Sequence, residues 1–289
     1  MRTALDCVPC FVRQALEAAR FVTDEPSIHE RLVRQVLRST AETDLGESPP
    51  VVAQRIHRWL RELTGVADPY REVKNRFNQM AMEMLPELMA TLQSAADPFA
   101  TAVRLAIAGN VIDLGVNGAM TEREARHGVI NALDEPFEGD VEAFVRAVER
   151  AECILYLADN AGEIVFDRLL IERLPQKRLT LAVRGGPVLN DATMDDARTA
   201  GLCDMVEVID NGSDAPGTVL DNCSDAFRRR FEEANLIIAK GQGNFETLSD
   251  EDANIHFLFK VKCPVISRRV GLPVGTHVAT CRQVMEMDA

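Results

Sequence analysis

The amino-acid sequence predicts an α/β protein in which a helical N-terminal subdomain packs on a largely parallel sheet domain. Two observations lead to this prediction. Apolar residues recur at helical spacing up to about residue 135, and short apolar runs alternate with helical stretches from Ile154 onward. Such strand–helix alternation is typical of parallel strands joined by right-handed crossovers. We therefore expect a mainly helical subdomain over residues 1–135 and a Rossmann-like α/β domain over residues 136–289.

Five helices are predicted in the N-terminal subdomain. The first lies near the N-terminus, where Phe11, Ala15 and Ala19 recur at helical spacing. The tripeptide at residues 48–50, Ser-Pro-Pro, interrupts the pattern before the third helix, because proline favours the first turn of a new helix. The other four helices are predicted over residues 29–40, 51–63, 70–84 and 99–111, and the Ala-rich last one is expected to be buried.

The C-terminal domain is predicted from apolar runs of strand length with helical stretches between them. Each strand–helix unit spans about 25–35 residues, which is typical of a parallel βαβ motif. The strands are expected at residues 154–158, 179–183, 205–209, 236–239 and roughly 257–266. The helices between them are expected at residues 162–174, 192–200 and 219–233.

Charge and hydropathy narrow the class of partner. The net charge is −13, from 32 basic and 45 acidic residues, which argues against nucleic acid as a main partner. Phosphorylated metabolites remain compatible, because one local Lys or Arg is enough to bind a phosphate. No run of about 18 apolar residues predicts a membrane helix, and residues 1–6 lack the apolar core of a signal peptide. We expect a cytoplasmic protein with neither a nucleic-acid nor a membrane partner.

Polar residues follow successive predicted strands, at the edge of a parallel sheet where ligands bind. Asp159 and Asn160 follow the first strand, Arg184 and Asp191 follow the second, and Lys240 follows the fourth. Carboxylate and amide oxygens suit a hard divalent cation, whereas Arg, Lys and backbone N–H groups suit phosphate. Asp, Asn and Gly are also ordinary turn and cap residues, but their recurrence at successive strand ends favours one composite site. The same loops also carry Glu163, Gly241 and Asn244.

A predicted helix offers two further polar residues, Asn110 and Asp113, which are three positions apart and therefore share a face. They either line the site or satisfy neighbouring backbone groups. Other site classes are less well supported. The glycines near Gly185 and Gly241 match neither a Walker A loop nor a dinucleotide-binding fingerprint, and no Gly-x-Ser-x-Gly elbow occurs.

Cys7 and Cys10 form a Cys-x-x-Cys pair near the N-terminus, among seven cysteines in all. An odd number of cysteines in an apparently cytoplasmic chain does not indicate a disulfide framework. The pair could bind a second metal, act as a redox pair, or consist of two half-buried thiols on one helix. A zinc site would need two more ligands, which only the fold could supply.

Five segments together resemble one known family. They are residues 6–10, 109–113, 159–163, 183–191 and 240–246. In order and spacing they resemble the family long called domain of unknown function eighty-nine. That family is described as metal-dependent damage-control phosphatases and includes acidic-residue methyltransferase-like proteins. The Cys-x-x-Cys start resembles its prokaryotic, archaeal-type branch.

The resemblance implies one divalent metal, Mn²⁺, Co²⁺, Ni²⁺ or Mg²⁺, held by Asp159, Asn160 and Asp191. It also implies a phosphate contact from Lys240. A metal there would polarise a phosphoryl oxygen and activate a water, which Asp159 or Glu163 would orient. The substrate would be a small phosphorylated metabolite, such as a sugar phosphate or a damaged phosphometabolite. The further substrate contacts carried over from the family are Arg184, Gly241 and Asn244.

Two other functions remain open at this point. One is a carboxyl methyltransferase that uses S-adenosylmethionine, an activity also attributed to part of the family. No Gly-x-Gly loop follows the first strand, however, and that chemistry needs no cluster of metal-binding oxygens. The other is a non-enzymatic protein that binds a metal or a metabolite through Cys7 and Cys10.

Overall fold

The computed structural model describes residues 1–109 and 122–281, so Asn110 and Asp113 lie outside the described residues. Its helices are α1 (Cys7–Val22), α2 (Pro26–Glu42), α3 (Pro49–Thr64), α4 (Arg71–Ser94), α5 (Pro98–Ala108), α6 (Glu122–Asn131), α7 (Val141–Arg150), α8 (Glu163–Ile171), α9 (Met194–Thr199), α10 (Asp225–Glu233), α11 (Gly241–Leu248) and α12 (Pro264–Val270). Within the described ranges, no helix has both the length and the apolar composition needed to cross a membrane.

The sheet lies in the C-terminal half. Its strands are β1 (Phe137–Gly139), β2 (Ile154–Leu157), β3 (Leu179–Val183), β4 (Glu207–Asp210), β5 (Leu236–Lys240), β6 (Ile255–Lys260) and β7 (His277–Cys281). They are arranged in the order β1-β7-β6-β5-β2-β3-β4. The five strands from β2 to β6 are mutually parallel, whereas β7 runs antiparallel to β6 and carries β1 beside it. The predicted α/β class, with helices preceding a largely parallel sheet, is confirmed.

The predicted strand over residues 257–266 was wrong in its second half. The strand β6 ends at Lys260, and α12 begins at Pro264. Proline has no N–H to donate to a strand ladder, but it suits the first turn of a helix. The apolar pattern of the sequence did not predict the short edge strand β1, its neighbour β7, or α11, which begins directly after β5.

Side chains of the central strands alternate between two cores, as the period of a strand requires. Ile154 and Tyr156 of β2 face a core shared with α4, α5 and α8. Leu155 and Leu157 face the opposite core, which α10, α11 and α12 cover. Both faces of the sheet are therefore covered at its central strands, which explains why β2, β3 and β5 are mainly apolar and fully buried, whereas the edge strand β4 is only partly buried.

The helices α1, α2 and α3 form a small core of their own, and Asp214 joins that core to the α/β part. Gln54 Nε2 donates to the Asp214 carboxylate at 2.7 Å, Arg58 Nη2 donates at 2.6 Å, and Arg61 makes a further contact. Burial alone would raise the pKa of Asp214, but the hydrogen bonds from Arg58 and Gln54 and the nearby charges lower it to about 2. Arg61 Nη1 also donates to Pro187 O at 2.7 Å, so α3 supports the loops after β3 and β4.

Each of three buried histidines is expected to lower the free energy of unfolding of the protein in mild acid. Burial lowers the pKa of His57, His256 and His277 to about 4 each, from an ordinary value of 6.5. The unfolded chain therefore takes up protons between pH 6.5 and 4 while the folded chain does not, and stability falls over that window by up to about 3 kcal/mol per histidine. Burial raises the pKa of Glu246 to about 7, which changes stability in the opposite direction over the same window, so the effect of one histidine is measured as a difference between variants. Urea unfolding of the wild type and of His57→Gln at pH 7, 5.5 and 4.5 should show a more favourable change in stability on acidification in the variant. The same pH dependence in both proteins would contradict the assignment.

Candidate functional site

The loops after β2 and β3 lie side by side at the carboxyl edge of the sheet. Asn160 and Asp191 pair as an isolated antiparallel bridge. Two backbone hydrogen bonds flank it: Ala161 N donates to Asn190 O and Ala192 N donates to Asp159 O, each at 2.8 Å. The three predicted metal ligands, Asp159, Asn160 and Asp191, therefore stand on two strand-end loops that hold each other in register.

The side chain of Asn160 links two carboxylates. Its Nδ2 donates to Asp159 Oδ2 at 2.7 Å and to Glu163 Oε2 at 3.0 Å. Because the amide nitrogen faces both acids, the amide oxygen is the atom left to bind a cation. Asp159 and Asn160 are only 7% and 5% exposed, and Glu163 is fully buried.

Arg184 brings a positive charge to the same loops. Its Nε donates to Asp191 Oδ2 at 2.7 Å, and its Nη2 lies 3.9 Å from Asp159 Oδ1. That Nη2 is buried and has no hydrogen-bond partner in the described part of the chain. A buried donor without a partner is costly, so this atom is suited to an anionic oxygen from a ligand.

Negative charge outweighs positive charge around Asp159. Burial raises the pKa of Asp159 well above its ordinary value, and Glu163 and Asp191 raise it further, against the opposite effects of Lys262 and Arg184. A divalent cation would relieve this repulsion. Across residues 1–109 and 122–281, no three His, Cys, Asp or Glu side chains converge closely enough to hold a metal ion. The predicted ligand set has only two such side chains, Asp159 and Asp191, and its third ligand is the amide oxygen of Asn160. Carboxylate and amide oxygens together fit a hard divalent cation.

Lys240 lies beneath the site. It is fully buried, and its Nζ donates to Ala106 O at 2.8 Å, to Glu163 Oε1 at 2.7 Å and to Asp167 Oδ1 at 2.5 Å. Burial would lower the pKa of Lys240, but the two carboxylates raise it above its ordinary value. Three protein acceptors use all three N–H donors of an ammonium group. This geometry differs from the expected direct contact between Lys240 and phosphate.

Glu163 and Asp167 are neighbours on one face of α8, and only Glu163 was predicted as a site residue from the sequence. Lys240 and Asn160 bind one carboxylate oxygen each of Glu163, so this side chain orients Asn160 in the described arrangement. Tyr156 donates from its hydroxyl to Asp167 Oδ1 at 2.7 Å. Burial raises the pKa of Asp167 to about 6, against the lowering effect of Lys240. The signal for Asp167 was an acid four residues after Glu163 in an otherwise apolar stretch.

Gly241 and Asn244 are placed in the first turn of α11. Gly241 has φ +77°, and a Cβ there would lie 1.9 Å from Asp159 Oδ2, so only glycine lets the helix start this close to the site. Asn244 is buried, and its Nδ2 donates to Lys240 O at 2.7 Å while Thr218 donates to its Oδ1. In this structure Asn244, which was predicted to contact substrate, instead links the end of β5 to Thr218.

Cys7 and Cys10 lie in the first turn of α1, and the seven cysteines all have free thiols. Burial raises the pKa of Cys7, and Glu246 and Cys263 add to that effect, although a hydrogen bond from the backbone opposes it. Such a shift favours the neutral thiol, which is a poor nucleophile and a poor metal ligand.

Comparison with known proteins identifies close relatives over nearly the whole chain. The sequence profile of the damage-control phosphatase ARMT1-like domain matches residues 3–278. A damage-control phosphatase of Archaeoglobus fulgidus is 37% identical over 281 residues, which cover 94% of this chain and 96% of that protein. A damage-control phosphatase of Pyrococcus horikoshii is 34% identical over 96% of this chain and 97% of that protein. The crystal structure of a DUF89 family protein from Pyrococcus horikoshii is similar to this fold with a TM-score of 0.87 and 32% identity, covering 98% of this chain and 99% of that one.

Proposed function

This chain belongs to the damage-control phosphatase ARMT1-like family, and from that premise we propose that it hydrolyses phosphate monoesters of small metabolites with one divalent cation. The observation that carries the proposal is the bridge between Asn160 and Asp191, which joins two loops that each end a parallel strand. Oxygen donors from both loops are thereby available on one side of the sheet edge. Mn²⁺, Co²⁺, Ni²⁺ and Mg²⁺ all suit such donors.

The ligands proposed for the cation are the carboxylates of Asp159 and Asp191 and the amide oxygen of Asn160. When bound, the cation would polarise a phosphoryl oxygen and lower the pKa of a bound water. The excess of buried carboxylate charge around Asp159 supports this assignment, since a dication would offset it. We propose that Asp159 also orients the attacking water, because Glu163 already accepts hydrogen bonds at both oxygens.

Arg184 is the proposed contact for the phosphoryl group. Its Nε keeps Asp191 in place, and its Nη2 is the donor that would bind a phosphoryl oxygen. A guanidinium favours such oxygens through short, charge-assisted hydrogen bonds. Gly241 contributes space, because any side chain at that position would collide with Asp159.

Lys240 is proposed to act indirectly. Its ammonium group fixes Glu163, and Glu163 in turn accepts a hydrogen bond from Asn160. This chain of contacts turns the amide of Asn160 so that its oxygen is directed away from the acids. Because two relatives are named damage-control phosphatases, we propose damaged phosphometabolites as substrates, with sugar phosphates as the other candidates.

Removal of divalent metal is expected to abolish phosphate release. The measurement is phosphate release from p-nitrophenyl phosphate and a panel of sugar phosphates, after exhaustive chelation and then with Mn²⁺, Co²⁺, Ni²⁺ or Mg²⁺ added singly. Restoration by at least one metal is expected, because the cation supplies both the activated water and charge neutralisation. Activity that survives complete chelation would refute the metal requirement, and no release with any metal would refute the phosphatase assignment for these substrates.

A further inference from the structure

Helix α4 reaches from the helical half of the chain into the two loops of the site. Its Asn78 is fully buried. Asn78 Oδ1 accepts a hydrogen bond from Gly162 N at 2.7 Å, and Asn78 Nδ2 donates to Asp196 Oδ1 at 2.8 Å. One side-chain amide therefore connects the loop after β2 with the start of α9, which follows the loop after β3.

The first of these contacts holds the loop that carries Asn160. Gly162 lies two residues after Asn160 and directly before α8, with φ +77° and ψ −54°. Its N–H is near a helix start, where backbone donors lack partners within the helix. Asn78 supplies the acceptor from another helix and so fixes a backbone conformation that only glycine adopts easily.

The second contact holds the loop that carries Asp191. Asp196 Oδ2 accepts from Thr193 N at 2.8 Å while the Thr193 side chain accepts from the backbone N–H of Asp196, and these two bonds form a capping box for α9. Thr193 Oγ1 also donates to Asp196 Oδ2 at 2.7 Å. Thr193 also pairs with Arg184 as an isolated parallel bridge. The position of Asp196 therefore determines the path of the chain from Arg184 to Thr193, within which Asp191 lies.

We propose that Asn78 is a positioning residue that sets the separation of the Asn160 and Asp191 loops, and with it the geometry of the cation site. The proposal rests on the proposed function. Position 78 requires an amide side chain, because one planar group must both accept from Gly162 N–H and donate to the Asp196 carboxylate. A carboxylate would keep the acceptor but would place two acids against each other, and an alkyl group would lose both contacts.

Because Asn78 contacts both loops, we expect a second substitution at Asp196 to restore the Mn²⁺ affinity that Asn78→Asp loses. Asn78→Asp should weaken Mn²⁺ affinity by about 10- to 100-fold, the range typical when residues that orient metal ligands are changed. Exchange of the donor and the acceptor, in the double variant Asn78→Asp/Asp196→Asn, should recover the affinity to within about threefold of wild type, since the new amide can donate to the new carboxylate and still accept from Thr193. Gln79→Glu, an exposed position one residue further along α4, adds the same charge and should leave the affinity unchanged.

The experiment measures Mn²⁺ binding by isothermal titration calorimetry, together with kcat and KM for p-nitrophenyl phosphate and the thermal midpoint. At saturating Mn²⁺ the Asn78→Asp variant should recover most of its kcat, because the deficit is in holding the cation. Wild-type affinity in Asn78→Asp, or a double variant as weak as the single one, would overturn the inference. Lack of Mn²⁺ binding in the wild type would instead refute the proposed function, and the inference would fall with it.

Discussion

Asp159→Asn is expected to lower kcat/KM for phosphate ester hydrolysis by at least about 1,000-fold. The substitution removes one of two proposed carboxylate ligands and the proposed water-orienting group while keeping the size of the side chain. A metal ion supplies several kcal/mol of transition-state stabilisation, and about 4 kcal/mol corresponds to roughly 1,000-fold in rate. The assay is release of p-nitrophenol at several Mn²⁺ concentrations, because a deficit that persists at saturation separates lost chemistry from weakened affinity.

The same variant should not lose stability in the absence of metal. Asp159 is buried beside Glu163 and Asp191, and both acids raise its pKa, so removing its charge relieves repulsion. The wild type should instead gain stability on binding Mn²⁺, by about 2.7 kcal/mol at a hundredfold excess over the dissociation constant. Thermal unfolding with and without Mn²⁺ is therefore expected to show a metal-dependent shift in the wild type and little or none in Asp159→Asn.

A matched control is Asp225→Asn, which removes one acidic charge from an exposed position at the start of α10. It should keep both the activity and the thermal shift of the wild type. If Asp159→Asn kept the full Mn²⁺-dependent shift, the cation would lie elsewhere and the ligand assignment would be wrong.

The arrangement of Asp159, Asn160 and Asp191 illustrates what the sequence could predict. Their loops follow buried strands, and parallel strands end at a common edge, so proximity followed from the order of the elements. Their structural environment, including the bridge from Asn160 to Asp191, agrees with that reasoning. The roles of these side chains as metal ligands stay a prediction.

Lys240 shows where the reasoning from strand ends was insufficient. It is the last residue of β5 and not the first residue of the loop. Ile238, two residues earlier, faces the core shared with α5 and α8, and a strand repeats its side-chain direction every two residues. Lys240 therefore points beneath those helices toward Glu163 and Asp167, away from the open edge. Because Lys240 still belongs to the strand, its side chain follows the alternation of β5 into the core.

Asn78 had no local signal at all. Its two partners, Gly162 and Asp196, are 84 and 118 positions away in the chain. Nothing in the sequence of α4 distinguishes an amide that spans two distant loops from an amide that faces water. Contacts of this kind depend on how α4 packs against α8 and α9, which periodicity alone does not determine.

Lys240→Met is expected to destabilise the protein by about 3–5 kcal/mol, the cost typical of removing one partner from a buried ion pair. Lys240 donates to both Glu163 and Asp167. Its loss leaves two buried carboxylates without the cation that contacts both. The pKa of Asp167, which burial already raises to about 6, should rise further without the lowering effect of Lys240, so the loss of stability should be largest near pH 8 and shrink toward pH 5.

Urea unfolding at those two pH values tests the prediction, with Lys177→Met as a control that removes an exposed lysine and should change stability by no more than about 0.5 kcal/mol. The double variant Lys240→Met/Asp167→Asn should be more stable than Lys240→Met, because it removes one of the two buried carboxylates that lack a cation.

The stability of Lys240→Met also distinguishes two roles for Lys240. A Lys240→Met protein as stable as the wild type but with a sharply raised KM would indicate direct contact with phosphate, as the family resemblance implied. Loss of stability with this pH dependence would instead support Lys240 as the buried cation that pairs with Glu163 and Asp167 and keeps Asn160 oriented.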